Sequence, residues 1–325
     1  MNKRTWVAIA LILVAVAVAG GFLYQRAAAL ARVDANQLVC QAMTRVGDGS
    51  YIAQVTTVTS DGSKTATVFR QGKTEKIEYP GKSAWSMTTN GKSYTYLPKC
   101  NQLLVSEASS LLSDKDRTAL LLANYRAKCV GMGKIAGRRA YVIALTSRHS
   151  SRPAKKLWID RENYTILRTE DYSASGQLRG RTEMNQVSFS ARIDPRTFAL
   201  PMGKTVEPVT ICQSCASSEF RGLGFTVAAP RYLPAGYLLD GSHKLHSTCG
   251  CGHVSAQFTY TDGLNVISVF ETPRMACCKD CGMTKCDDQN CGIATLGQVT
   301  RGDKTIVVVG DLVPKDLRKI AESVQ

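Results

Sequence analysis

The sequence predicts an α+β protein with two domains, each built around antiparallel strands. Short runs of alternating apolar and polar residues, rich in Thr and Val, recur along the chain, and Asp-Gly or Asn-Gly pairs separate several of them. That pattern is typical of β-hairpins. Helical periodicity is confined to a few short stretches. At 325 residues the chain is long for one domain, so two are expected.

Residues 1–31 predict an export or anchoring segment. Lys3 and Arg4 precede residues 5–24, an apolar run without charge. At about 1.5 Å per residue that run is long enough to span about 30 Å of hydrocarbon. The run exceeds the usual apolar region of a signal peptide, so we expect an uncleaved signal anchor.

A cleaved signal peptide is the alternative, because Ala29-Leu30-Ala31 would suit a signal peptidase. Either interpretation places residues from about 32 onward outside the cytoplasm, because the positive end stays inside. That location makes nucleic acid an unexpected partner. It also makes disulfides possible for the 12 cysteines.

The positive charge of the chain is concentrated in its front half. Lys plus Arg outnumber Asp plus Glu by 26 to 14 over residues 32–203, but only by 11 to 10 over residues 221–325. A solvated basic surface explains this simply. A surface that meets lipid headgroups or acidic protein segments is the functional alternative.

The first domain is expected at residues 32–203 and begins with a helix over 34–46 that Gly47 ends. A second helical stretch covers 109–126, where Ser113 or Asp114 provides a cap. Strands are predicted at 51–59, 63–71, 73–79, 84–89, 92–97, 139–145, 154–160, 166–172 and 178–189. Together they predict one strongly bent sheet, partly covered by helices.

Residues 204–221 have the composition of a linker, and residues 222–325 form the second domain. Pro314 begins its closing helix, predicted at 314–323. Its strands are predicted at 244–247, 254–260, 264–271, 294–301 and 304–310.

Cysteines allow both disulfides and a metal site. Cys100 and Cys129 bracket the second helical stretch and are expected to form a bridge, for which Cys40 competes. Cys212 and Cys215 form a Cys-x-x-Cys pair, for which a disulfide is expected and redox exchange is a weaker alternative. Residues with ligand spacing for Zn²⁺ or Cu⁺ are Cys249, Cys251, His253, Cys277, Cys278, Cys281, Cys286 and Cys291, with His246 nearby.

Disulfides that staple a polar insertion are the alternative for this cysteine-rich region, and the two interpretations stay open. No catalytic motif occurs in the sequence, and we expect no enzyme. Trp85 and Trp158 fall on predicted strands, where they are either core residues or contacts to a ligand. Asp160 and Asp262 are interpreted as turn residues.

Several stretches in the same order resemble the sigma-E regulatory proteins of the RseB/MucB family. They are Lys156-Leu157-Trp158-Ile159-Asp160, Ile166-Leu167-Arg168 with the strand to Phe189, Leu233-Pro234-Ala235-Gly236-Tyr237, Tyr260–Phe270, Val307-Val308-Val309-Gly310, and Pro314 leading to Ile320-Ala321-Glu322-Ser323-Val324. The resemblance covers most of the chain beyond residue 35. It implies that the first domain is a half-open antiparallel barrel with covering helices, as in LolA/LolB lipoprotein carriers, followed by a smaller α+β domain.

The resemblance implies a regulator that acts in envelope stress signalling. Its first domain would sense a lipid or lipoprotein, and its second would hold a membrane-bound anti-sigma factor. A periplasmic lipid or lipoprotein carrier is one alternative. A metal- or thiol-responsive envelope protein is another, and it would use the cysteine-rich region.

Overall fold

The fold is one continuous, mostly antiparallel sheet that runs through both domains and carries helices against it. The computed structural model describes residues 29–44, 49–81, 84–98, 102–107, 110–149, 153–173, 175–200, 208–214, 220–246, 253–274 and 295–325. Within these residues the sheet has 17 strands. The predicted α+β class is confirmed.

The first domain contributes two helices and eleven strands. The helices are α1 (Ala35–Thr44) and α2 (Asp114–Asn124). The strands are β1 (Ser50–Thr59), β2 (Gly62–Gln71), β3 (Thr74–Glu78), β4 (Trp85–Thr89), β5 (Lys92–Leu97), β6 (Gln102–Glu107), β7 (Tyr125–Ile135), β8 (Arg138–Ser147), β9 (Pro153–Asp160), β10 (Ile166–Tyr172) and β11 (Leu178–Ser188). A single 3-10 turn follows at Pro195–Phe198.

The remaining elements belong to the connection and the second domain. They are β12 (Pro208–Ser214), β13 (Leu238–His246), β14 (Val254–Thr261), β15 (Val266–Pro273), β16 (Thr295–Arg301), β17 (Lys304–Gly310) and α3 (Pro314–Ser323).

The spatial order of the strands is β7-β8-β9-β10-β11-β1-β2-β3-β4-β5-β6-β12-β13-β14-β15-β17-β16. All neighbours are antiparallel except β6 and β12, which run parallel. Among the described residues β7 and β6 do not pair, so the sheet of the first domain stays open, as predicted.

Turn chemistry explains most of the hairpins. Asn90 and Gly91, both at positive φ, connect β4 to β5 in the two-residue turn that favours this pair of residues. Ala136 and Gly137 connect β7 to β8 in the same way, with φ of 48° and 79°. Alanine rarely occupies a left-handed position, so the sequence carries no strong signal for this hairpin.

The secondary structure differs from the predicted elements in two places, at the end of α2 and in the connection between the domains. The helix ends at Asn124, and Tyr125 already has extended φ and ψ. Strands β6 and β7 were therefore missed on either side of it. Residues 204–221, predicted as a linker, contain β12, which joins the sheets of the two domains.

Three apolar clusters form the core. In the first domain, Leu38 and Val39 of α1 and Leu121 of α2 pack with Ile143 and Leu157 of the sheet. A second first-domain cluster lies under β1, β2 and β11. In the second domain, α3 packs its Leu317 and Ile320 on β14, β15 and β17.

The Ser113 hydroxyl accepts a hydrogen bond from the Asp116 N–H, which confirms the predicted cap of α2.

None of the described helices is long and apolar enough to span a membrane. The predicted anchor at residues 5–24 lies outside the described residues.

Candidate functional site

An apolar groove of about 400 Å³ lies in the first domain, on one face of the sheet. Residues of β1, β2, β3, β10 and β11 line it. Along β1, β3 and β11 the lining residues alternate, because every second side chain of a strand points to the same face. Its apolar lining includes Tyr51, Val55, Val68, Ile77, Leu167 and Met184. A groove of this size and lining suits an acyl chain or an apolar side chain of a peptide.

Polar groups are placed around this apolar lining. Lys64, Glu75 and Arg168 line the groove together with Thr57 and Thr182. The Thr57 and Thr182 hydroxyls lie 3.1 Å apart across β1 and β11. Such an arrangement orients a ligand that has an apolar body and a polar end.

Arg70 and Glu75 form a pair beside Tyr51. The Arg70 Nε donates to Glu75 Oε2 at 3.0 Å, and the Arg70 guanidinium lies 6.0 Å from the Tyr51 ring centre. Burial raises the pKa of the Tyr51 hydroxyl, so this phenol is a neutral donor at physiological pH.

A second candidate site lies at the junction between the two domains and is centred on Asp262. Its side chain is only 5% exposed. Its carboxylate accepts from the Tyr125 hydroxyl at 2.5 Å and from the backbone N–H groups of Leu264 and Asn265 at 2.9 and 2.7 Å. Burial raises the pKa of Tyr125 far above its usual value, so its hydroxyl stays a donor.

Asn124 connects the same junction from the first domain. Its Nδ2 donates to the carbonyls of Gly236 and Asp262, each at 3.0 Å. Its Oδ1 faces His149 Nε2 at 3.1 Å. Because Oδ1 must accept here, His149 Nε2 carries the hydrogen.

At the junction the backbones of the two domains also approach each other closely. Gly263 has φ of +91°, and a Cβ at that position would lie 2.6 Å from Leu121 Cα and 2.8 Å from the Arg117 carbonyl oxygen. The next residue, Leu264, packs against the apolar cluster of the first domain. The hairpin turn of β14 and β15 therefore fits against α2 only because it carries glycine.

Ion pairs extend the contact between domains. Arg117 Nη2 lies 2.6 Å from Asp240 Oδ2, and the Ser110 hydroxyl donates to Asp240 Oδ1 at 2.5 Å. Arg179 pairs with Asp311 at a separate place. These contacts hold the groove domain and the second domain in one fixed arrangement.

The predicted ligand-contacting tryptophans lie elsewhere. Trp85 pairs with Glu78 and stacks on Tyr96 with 5.9 Å between ring centres, on the face opposite to Ile77 of the groove. Trp158 lies under Arg168, whose Cζ is 4.4 Å from the ring centre. Neither indole is among the groove-lining residues of the described chain, and a ligand contact for either stays a prediction.

Few of the predicted cysteine sites fall on described residues. Cys40 and Cys129 are free thiols, so they are not bridged to one another. Burial raises the pKa of the Cys129 thiol. The backbone of Cys212 pairs with Leu245 on β12 and β13. The other cysteines assigned to bridges or ligation lie outside the described residues, namely Cys100, Cys215, Cys249, Cys251, Cys277, Cys278, Cys281, Cys286 and Cys291.

Two histidines belong to or adjoin the predicted metal site, and both are described. His246 ends β13, where it pairs with Val254, and His253 immediately precedes β14. Within the described ranges no cluster of three or more His, Cys, Asp or Glu side chains is placed to hold a metal ion. The metal site and the Cys212–Cys215 disulfide stay predictions, whereas Cys129, expected to bridge to Cys100, is a free thiol in this structure.

Periodicity in the sequence did not reveal the junction. It identified Asp262-Gly263 as a turn, and the turn is confirmed by the Asp262 N–H to Asn265 carbonyl bond of 3.3 Å. Nothing in the sequence pattern pointed to Asn124 or Tyr125, which lie more than 100 positions away from this turn.

Comparison with known proteins gives a consistent picture. Residues 43–202 match the family model described as the MucB/RseB N-terminal domain. The curated protein described as "Sigma factor AlgU regulatory protein MucB", from Pseudomonas aeruginosa, is 29% identical over 149 residues. That match spans 46% of this chain and 44% of the relative, so the chain matches less than half of that protein's length.

Solved structures of MucB have the same fold over a longer range. The crystal structure of MucB in complex with MucA(peri) covers 90% of this chain and 98% of its own chain, with a TM-score of 0.65 and 19% identity. The Pseudomonas aeruginosa MucA/MucB complex gives a TM-score of 0.64, and MucB alone gives 0.61. At this identity the likeness shows the fold, which extends over both domains. The predicted resemblance is confirmed.

Proposed function

We propose that this chain, whose residues 43–202 carry the MucB/RseB N-terminal domain, is an extracytoplasmic regulator that binds the periplasmic part of a membrane-bound anti-sigma factor. The observation that carries the proposal is the fold match over 90% of the chain to a MucB that was crystallised with MucA(peri). A regulator of this kind works by binding rather than by catalysis.

The groove of the first domain supplies the signal in this proposal. A lipid, or the acyl part of a lipoprotein, occupies the apolar lining formed by Val55, Ile77 and Met184. The charged groups of Lys64 and Arg168 then lie near its polar end. Apolar contact provides most of the affinity, and the polar groups fix the orientation.

The junction transmits the signal to the second domain. Because Tyr125, Asn124 and Gly263 fix the two domains together, a change of the groove that moves α2 also moves the hairpin turn of β14 and β15. The second domain holds the anti-sigma factor and shields it from proteolysis.

Residues 5–24 anchor the protein in the inner membrane, with the folded part in the periplasm. The support for this is the uncharged apolar run after Lys3 and Arg4. An anchor keeps the regulator beside a membrane-bound partner. A lipid or lipoprotein carrier is the second candidate, which the apolar groove favours, but a carrier has to diffuse and therefore requires cleavage of the anchor.

The decisive experiment measures binding of the full chain, reconstituted in nanodiscs, to the purified periplasmic domain of the single-pass anti-sigma factor from the same organism. We expect a saturable complex in which the partner becomes resistant to limited proteolysis. Phospholipid or a lipoprotein is then added, and release of the partner is expected. Lipid binding without any binding of the anti-sigma domain would overturn the regulator in favour of the carrier.

A groove variant separates the two activities. Ala66 lines the groove, and Ala66→Phe places a phenyl ring in the space of the ligand. We expect this variant to bind the partner but to lose release by lipid. An Ala66→Phe protein that releases its partner as readily as the unaltered chain would show that the ligand binds elsewhere.

A further inference from the structure

Strand β7 forms one edge of the sheet in the part of the chain that the structure describes. It spans Tyr125–Ile135 and pairs only with β8 among the described residues. An edge strand presents a row of backbone N–H and C=O groups without strand partners, which is a template for another strand. A register shift between Cys129 and Gly131 marks a bulge at the middle of β7.

The exposed side chains of this edge combine apolar and basic groups. Val130 is 47% exposed and Met132 is 40% exposed. Arg126, Lys128 and Lys134 are also exposed. No acidic residue occurs in Tyr125–Ile135, so the edge has a uniformly positive character.

A groove of about 640 Å³ runs beside the same strand. Its floor is formed by Ala127, Lys128, Cys129 and Val130, and its wall by residues 30, 31 and 33–36. The wall adds Leu30 and Val33 to the apolar surface. The acidic side chain of the wall, Asp34, accepts a hydrogen bond from the Gln37 N–H at 3.0 Å at the start of α1.

We propose that β7 is a docking edge for an extended, acidic segment of the partner protein, which adds to the sheet as an antiparallel or parallel strand. The proposal rests on the proposed function, since the partner is the periplasmic domain of the anti-sigma factor. Backbone hydrogen bonds hold the added strand, and its apolar side chains cover Val130 and fill the groove beside Cys129. Its carboxylates face Lys128 and Lys134.

Charge selects this occupant over a second copy of the chain. An antiparallel pair of two β7 strands centred on Val130 would place Arg126 opposite Lys134 of the other copy. Like charges directly opposite each other destabilise a strand pair. An acidic strand gives attraction at the same positions and accelerates encounter.

The test uses the full chain in nanodiscs and the purified periplasmic domain of the anti-sigma factor. The double variant Lys128→Glu with Lys134→Glu is compared with a matched control, Lys73→Glu with Lys92→Glu. Both control lysines are exposed, Lys73 in the turn between β2 and β3 and Lys92 at the start of β5. We expect the first variant to bind at least about tenfold more weakly and to lose most of the salt dependence, and the control to change affinity by less than about threefold.

Hydrogen exchange of the complex provides a readout that does not depend on a variant. Amides of residues 126–134 are expected to gain protection when the partner binds. Unchanged affinity of the Lys128→Glu, Lys134→Glu protein, or protection confined to the second domain, would overturn the docking edge while leaving the proposed function intact. Absence of any complex with the unaltered chain overturns both. A change in self-association instead of partner affinity would show that a second copy occupies the edge.

Discussion

Replacement of Gly263 by alanine tests the rigid junction most directly. The residue has φ of +91°, and its new Cβ would lie 2.6 Å from Leu121 Cα, whereas ordinary contacts are 3.4–4 Å. The turn must therefore move away from α2 by about 1 Å. Gly222→Ala is the matched control, because Gly222 has φ of +83° with no atom within 4 Å of the added Cβ.

The structure gives the size of the effect. Both variants lose about 1–2 kcal/mol because alanine is strained at positive φ. In Gly263→Ala the displacement also lengthens the bonds from Asn124 and Tyr125 to Asp262, which are now 3.0 and 2.5 Å. Buried polar groups left without partners cost about 1–3 kcal/mol each. We therefore expect Gly263→Ala to lower the free energy of unfolding by about 3 kcal/mol more than Gly222→Ala does.

Urea denaturation measures this difference, followed by tryptophan fluorescence for the first domain, which contains Trp85 and Trp158, and by far-ultraviolet circular dichroism for both domains. Both variants are kept under the same oxidising conditions. Separation of one transition into two is expected for Gly263→Ala, because the domains lose their fixed contact. A free energy of unfolding within about 1 kcal/mol of the control, with one cooperative transition, would refute the rigid junction.

Three further predictions concern single interactions. The buried Asp160 accepts bonds from Arg138 and from backbone N–H groups; burial alone would raise its pKa, but these bonds outweigh it and lower the pKa below the usual 3.8. The ionised Asp160 carboxylate therefore stabilises the fold fully above pH 3.8, and this stabilisation is lost as the pH falls further. The difference in Tm between the unaltered chain and Asp160→Asn should shrink between about pH 7 and pH 3. A constant difference would contradict this prediction. Lys304 Nζ lies 2.5 Å from Oε2 of the fully buried Glu271. Lys304→Met leaves this carboxylate without its partner and should lower the free energy of unfolding by about 3–5 kcal/mol in urea denaturation, and the added substitution Glu271→Leu should recover most of that loss. Equal losses for the single and double variants would argue against an uncompensated charge as the cause. If the cysteine-rich region binds metal, plasma mass spectrometry should detect Zn or Cu in the full chain, and the double variant His246→Ala with His253→Ala should contain less of the metal. A metal-free protein whose cysteine-rich region is oxidised would favour the disulfides.

Local patterns in the sequence were sufficient for most of the hairpins. Asn90-Gly91 and Asp262-Gly263 were identified as turns because these residues tolerate left-handed backbone at little cost. The start of α2 followed in the same way from the capping residue Ser113, and the start of α3 from Pro314 at its first position. The α+β class followed from these local signals, whereas the half-open form of the first domain was implied by the resemblance to the RseB/MucB family.

The tertiary structure alone decided how the two domains meet. Tyr125 looked like the apolar end of a helix, but its hydroxyl is bound to Asp262, which is 137 positions away. Residues 208–214 had the composition of a linker, yet they form a strand because β6 and β13 offer them backbone partners. Such pairings depend on distant backbone and on burial, which a local pattern does not contain.

For the groove of the first domain and for the edge strand β7, the sequence again determined some features and the tertiary structure the others. The sequence determined which residues alternate along β1, β10 and β11, and thus which side chains share a face. It did not determine that Trp85 and Trp158 lie outside the groove lining, because that depends on the bend of the sheet and on the bulge at Leu167. It also did not determine that β7 is a free edge, since strand neighbours are chosen by the fold as a whole. Turns and strand faces depend on neighbouring residues and could therefore be predicted from the sequence. The junction, the groove and the free edge arise from contacts between residues far apart in the chain.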